Sequence, residues 1–202
     1  MERPNIPLNC FFKGSYNPAY YHDIRQAKDK CWQYNNLHPN DDAGHDKILR
    51  ELFGKVGKEA TVVAPFWCDY GYHIEAGDYF YANHNVILQD GGGIKFGDYV
   101  FIAPNVLLTT AEHALDPQMR MDGVEIAKPI TIGNNVWIGS GAVILAGTTI
   151  GDNTVIGAGS VVKGNIPSGV VAAGVPCRVI REITEADRHT YPYYEGTRTQ
   201  HQ

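Results

Sequence analysis

Eight histidines and four cysteines carry most of the proton-transfer and nucleophilic chemistry open to this 202-residue chain. His113 stands out by its setting. It lies near the start of residues 109–129, TTAEHALDPQMRMDGVEIAKP, which lack the periodicity of their flanks. An imidazole titrates near neutral pH, so it can take the proton of a weakly acidic hydroxyl as that hydroxyl attacks. Glu125, in the same stretch, could orient the ring or neutralise its charge. His73 and His84 sit in turn-like segments upstream. With His113 they offer a second reading, three imidazoles around a zinc ion for hydratase or lyase chemistry, although their spacing follows no ligand pattern. Cys10, Cys31, Cys68 and Cys177 form no CxxC pair. None has a histidine beside it in a nucleophile motif, and they read as reduced, mostly buried thiols.

The composition bounds what surrounds these residues. Apolar residues are 44% and charged residues 19%, which is globular rather than disordered. The net charge is -5 with no Lys/Arg block, which argues against a nucleic-acid partner. No apolar run approaches the roughly 18 residues of a membrane span. The opening MERPNIPLNCFF lacks the charged and apolar regions of a secretory signal. The expectation is a cytoplasmic protein with no membrane partner.

Two kinds of element must position the chemistry. Tyr20, Ile24, Ala27, Cys31 and Tyr34 share one helix face, with Asn17-Pro18 as cap and first turn. Residues 38–42, HPNDD, break the chain before a second stripe of Ile48, Leu49, Leu52, Phe53 and Val56, closed by Gly54 or Gly57. Later the period becomes six. Ile132, Ile138, Ile144, Ile150, Ile156 and Val162 recur without a slip, and Gly133, Gly139, Gly151 and Gly157 follow four of them. Ala76, Ala82, Leu88 and Ile94, then Phe96, Ile102 and Leu108, repeat more weakly. A six-residue period fits neither an amphipathic helix nor a hairpin sheet. It fits a parallel β-helix, each unit giving one short strand and one turn. The expected organisation is a helical segment over 1–60 packing on a β-helix over 61–176, a loop over 109–129 pushed out between coils, and a tail over 177–202.

The stretch ITIGNNVWIGSGAVILAGTTIGDNTVIGAGSVV, followed by VVAAGVPCRVIREI, closely resembles the hexapeptide-repeat acyltransferases. YNNLHP, ILRELFGKVG, CDYGYHI, FYANHNVILQDGG and IAPNVLLTTAEHALDP extend the likeness to the maltose/galactoside O-acetyltransferases. The resemblance implies a mainly β fold, a left-handed parallel β-helix with N-terminal helices and one extruded loop. It also implies a homotrimer with active sites between subunits, acetyl-CoA as donor, a sugar hydroxyl as acceptor and no required metal. Periodicity alone gives none of the hand, the trimer or the donor.

On that resemblance, His113 is the general base of a direct transfer that needs no covalent intermediate. Asp69, Asn83 and Asp90 fall at or beside acceptor contacts, with Ser15 or Asn17 near a further one. Ser140 and Ala158 fall where backbone groups hold the pantetheine arm and thioester, and the Ser140 N–H is a candidate oxyanion donor. Arg178 and Arg181 match phosphate-end positions, which guanidinium geometry suits. Trp137 matches a cleft wall, and Lys163 stands one position early for the family's Thr-Lys. The galactoside enzymes have a serine at Asp69 and paired acidic residues at Asp90-Gly91. An acceptor outside the sugars, an antibiotic or a serine-like amino acid, is the alternative, and a non-catalytic trimeric scaffold is a further one.

Overall fold

A computed structural model describes residues 3–190. The later part of the tail assigned to 177–202, with His201, lies outside the described residues.

The chain winds through three sheets in strict rotation, parallel throughout except for the last strand of the third. One sheet has five strands, Phe66–Cys68, Val86–Gln89, Leu107–Thr109, Val143–Ile144 and Val161–Val162. The next runs from Lys55–Val56 to Asn165–Ile166 in six strands, and the third begins at Thr61–Val62 and has seven. The chain is a parallel β-helix. Registers pair like with like: Ile74 with Ile94, Ile94 with Ile130, Ile132 with Ile150 and Ile150 with Ile166. The six-residue series is therefore the inward ladder, and Ile132, Ile138, Ile144, Ile150, Ile156 and Val162 are all buried. Stacked coils bury each apolar side chain against its copies above and below, which no isolated coil could do.

The three edges of this prism are built differently. The six-to-seven edge is a ladder of turns. The Asp78 carboxylate accepts from the Lys58 N–H, Asp98 from Asp78, the Asn134 amide oxygen from Asp98, and Asp152 from Asn134. Each turn needs a positive φ at its next residue, supplied by Asn135 and Asn153 but also by Tyr79 and Tyr99. The two tyrosine rings stack at 4.7 Å and 12°, so packing holds what tyrosine would not choose. Gly77 sits in this ladder with its Cα against the Gly97 carbonyl, where a Cβ has no room. Gly77→Ala is expected to cost about 1–3 kcal/mol, read as a lowered Tm.

The helices cap one end. Helix α1, Pro18–Asn35, is capped by the Asn17 side chain accepting from the Ala19 N–H at 3.0 Å. It buries Ala27, Cys31 and Tyr34 on the main core. Helix α2, Asp42–Leu52, is capped by Asp41 and buries Leu49 and Leu52. It does not end on a glycine cap, because Phe53 leaves it in extended conformation. Gly54 is required instead by the approach of the Tyr72 carbonyl.

Residues 110–129 leave between the five- and six-stranded sheets. They form a hairpin, with strand Ala111–His113 antiparallel to Val124–Ala127 and a short helix α3, Pro117–Met121, at its tip. Strand Phe11–Lys13 adds to its outer side. Among the described residues no helix is long and apolar enough to cross a membrane.

Candidate active site

The hairpin register sets His113 directly across from Glu125, and Glu125 across from Phe12 on the other side. Cross-strand partners share a face, so the three side chains form one row. That row faces a cavity of about 370 Å³. Ser15, Tyr20, Asp69, Tyr70, Gln89 and Glu112 are among the polar residues of its wall. The His113 Nδ1 lies 4.0 Å from the Glu125 Oε1, an electrostatic contact rather than a full hydrogen bond. The Ser15 hydroxyl donates to that same Oε1. His113 is 60% exposed and Glu125 22%, so the imidazole is open while its carboxylate partner is sheltered.

Burial and neighbouring acids shift three groups of the wall, Asp69, Tyr20 and Tyr70. Burial raises the Asp69 carboxyl above its usual range, Lys28 opposes this, and Glu125 adds to it. Tyr20 is raised by burial and by Glu125. Tyr70 is raised by burial first, then by Asp69 and the other acids around it. On the hairpin itself, Glu112 is held below its usual range mainly by the Lys128 ammonium, 2.8 Å away, and Lys163 lies 3.6 Å from its other oxygen.

Asp90 lies beside this wall rather than in it. It is fully buried and is not among the residues that line the cavity. Its Oδ1 accepts the N–H groups of Asp69 at 3.0 Å and Tyr70 at 2.8 Å. Burial pushes its carboxyl up to about 6, although the Tyr70 N–H pulls the other way. Unfolded, it would ionise near about 3.9. Between those values the folded chain keeps a proton that the unfolded chain has lost. This group's contribution to stability therefore falls as pH rises through that window and stays lost above it. Asp90→Asn cannot titrate. Its unfolding free energy relative to wild type should rise by about 2 kcal/mol between about pH 4 and pH 7, checked by denaturant melts at both ends.

The remaining expected residues lie elsewhere. Asn83, Ser140 and Ala158 sit at the edge between the seven- and five-stranded sheets, where Ser140 and Ala158 are exposed. The Gly159 N–H donates to the Ser140 carbonyl at 2.8 Å, stacking the two turns. Trp137, 55% exposed, points outward from the seven-stranded sheet beside that edge. Within one chain these residues and His113 occupy different edges. Arg178 and Arg181 lie on the last strand, Arg178–Glu182, which is antiparallel to Val170–Ala173. Arg181 is held by Asp187 through both oxygens, at 2.6 and 2.8 Å. His73 is packed among Tyr70 and Tyr72, and the His84 ring lies 2.7 Å from the Ala64 carbonyl at the Asn83 edge. Among the described residues no three His, Cys, Asp or Glu side chains converge as a metal site.

Comparison with known proteins identifies the assembly. Residues 129–164 match the family described as bacterial transferase hexapeptide (six repeats), and residues 15–57 match the maltose acetyltransferase hexapeptide capping motif. The galactoside O-acetyltransferase of Escherichia coli strain K12 is 48% identical over 166 residues, 82% of each chain. The chain belongs to the maltose/galactoside O-acetyltransferase family. A putative acetyltransferase of Saccharomyces cerevisiae is 47% identical over 189 residues, 94% of this chain and 96% of its own length. A solved galactoside acetyltransferase in complex with coenzyme A superposes with a TM-score of 0.86 at 43% identity, covering 92% of each chain. This acetyltransferase thus has its capping motif on α1 and α2 and its repeat in the upper coils.

Several wall residues were not singled out from the sequence. Tyr20, placed on the apolar stripe of α1, packs at the cavity rather than in the main core. Phe12 and Glu112 reach the site only through hairpin pairing. Tyr70 belongs to the CDYGYHI segment, whose likeness to the family was the available signal.

Proposed function

We propose that this acetyltransferase moves the acetyl group of acetyl-CoA to a sugar hydroxyl, with His113 as general base. The observation that carries the reading is the His113–Glu125 pair in the wall of a polar cavity that also presents Asp69. With Nδ1 turned to Glu125, Nε2 is the nitrogen available to the acceptor. It takes the hydroxyl proton as the oxygen attacks the thioester carbonyl carbon. The tetrahedral oxyanion is met by the Ser140 N–H, then collapses as the C–S bond breaks. The imidazolium returns its proton to the departing thiolate. Glu125 stabilises the imidazolium in between, and Glu125→Gln is expected to lower kcat about 3- to 30-fold with KM for acetyl-CoA unchanged. Initial rates with both substrates varied check this.

A complete site on this reading needs a second copy of the chain. The outward residues of the five-stranded sheet are Trp67, Ile87, Leu107, Val143 and Val161, with polar Gln89 and Thr109 at the ends of two strands. Those of the seven-stranded sheet include Tyr81, Phe101, Trp137 and Val155. The six-stranded sheet instead presents Lys55, Glu75, Lys95, Thr131, Thr149 and Asn165. Two apolar faces meeting at the Asn83–Ser140 edge favour side-by-side packing of prisms. In a homotrimer, the His113 edge of one subunit would meet the Asn83, Ser140 and Ala158 edge of its neighbour. Lys163, Arg178 and Arg181 supply cations for the coenzyme phosphates.

The test is thiol release from acetyl-CoA with maltose, glucose, galactosides, amino sugars, serine and chloramphenicol. Acceptor-dependent release on sugars, with the ester found by mass spectrometry, is the expected result. Release on serine or chloramphenicol alone would move the acceptor outside the sugars.

A further inference from the structure

The acceptor cavity and the hairpin that carries His113 share one buried anchor. It is the turn after Val86–Gln89. On one side the Asp90 Oδ1 takes the N–H groups of Asp69 and Tyr70, both in the cavity wall. On the other side stands Thr110, also fully buried. Its hydroxyl accepts from the Gly92 N–H at 2.7 Å and donates to the Gln89 carbonyl at 2.6 Å. The Thr110 carbonyl accepts from the Lys128 N–H at 2.8 Å, which closes the base of the hairpin. A single corner therefore sets Asp69 and Tyr70 in place and roots the strand that ends at His113.

A neutral acceptor could have served a purely structural corner. Among the described residues Asp90 is the one ionisable carboxylate in the fully buried set, and its Oδ2 has no hydrogen-bond partner. Desolvating a carboxylate is costly, and an unpaired buried oxygen adds to the cost. Such a cost is retained where function needs the geometry. Charge-assisted bonds to the two N–H groups hold that geometry more firmly than an amide oxygen would.

We propose that Asp90 is a positioning residue for acetyl transfer, fixing Asp69 and Tyr70 against the acceptor in register with the Thr110 root of the His113 hairpin. It acts through those residues and touches no substrate. The inference rests on the acceptor reading given above.

Asp90→Ala and Asp90→Asn in the full chain test it, with KM for the acceptor, KM for acetyl-CoA and amide exchange at Asp69 and Tyr70 as readouts. Alanine should raise acceptor KM about tenfold and speed exchange of those two amides about tenfold or more. KM for acetyl-CoA should stay within about twofold, since the donor edge lacks this corner. Asparagine should restore part of both effects, because its amide oxygen can accept the same two N–H groups but without the charge. Should Asp90→Ala not fold, Asp90→Ser carries the same comparison. Unchanged acceptor KM, equal rises in both KM values, or asparagine no better than alanine would overturn the proposal. If no sugar is acetylated by wild type, the acceptor reading fails by itself. Exchange then decides: acceleration confined to the two amides and rescued by asparagine sustains the positioning role, and unchanged exchange overturns it.

Discussion

Replacing His113 with alanine is expected to lower kcat by about 100- to 10,000-fold, the usual worth of a positioned general base. The ring is 60% exposed and pairs only with Glu125 at 4.0 Å, so little of the fold depends on it. The variant should keep its Tm and its affinity for acetyl-CoA. A loss shared equally by kcat and kcat/KM for the acceptor would mark an interaction made only in the transition state. His113→Gln should be as inactive as alanine, since an amide holds a hydrogen bond but takes no proton. Steady-state kinetics with calorimetric binding of acetyl-CoA separate these outcomes.

The second large effect concerns assembly. Ile87 is 41% exposed in the middle of the outward apolar ladder of the five-stranded sheet, between Trp67 and Leu107. Ile87→Lys places a charge where a neighbouring prism would pack, and burying an unpaired ammonium there costs several kcal/mol. The expected result is dissociation on a sizing column with light scattering. Activity should fall by about 100-fold or more, because a lone chain holds His113 and Ser140 on different edges. The six-stranded sheet supplies the control. Thr131→Lys adds the same charge to an exposed position already flanked by lysine and threonine, and should leave mass and rate unchanged.

What could be read from residues alone follows from how local each feature is. The ladder from Ile132 to Val162 was legible because each coil repeats the same demand, one large apolar side chain inward and a compact turn after it. The apolar outward positions were equally present in the strand alternation. Once the inward residue is known, Trp67, Ile87 and Leu107 fall on the opposite face. The hand of the winding is not contained in the period and entered with the family likeness. The facing of His113 and Glu125 depends on hairpin register, which the irregular TTAEHALDPQMRMDGVEIAKP stretch does not announce. Phe11–Lys13 is too short and too distant to be recognised as its third strand. The burial of Asp90 was not legible for a different reason. Its place at or beside an acceptor contact came with the family likeness, and only the fold shows two N–H groups turned onto it in the interior.

Subunit mixing tests the account most directly. His113→Ala and Asn83→Ala each remove one edge of the proposed seam, and each protein alone should be nearly inactive. Unfolded together and refolded at equal ratio, they should form mixed trimers. About one seam in four would then pair an intact His113 edge with an intact Asn83 edge, since the two choices are independent around a closed ring. The account predicts recovery of about a quarter of wild-type activity. No recovery, in mixed trimers verified by native mass spectrometry, would contradict a site built from two subunits.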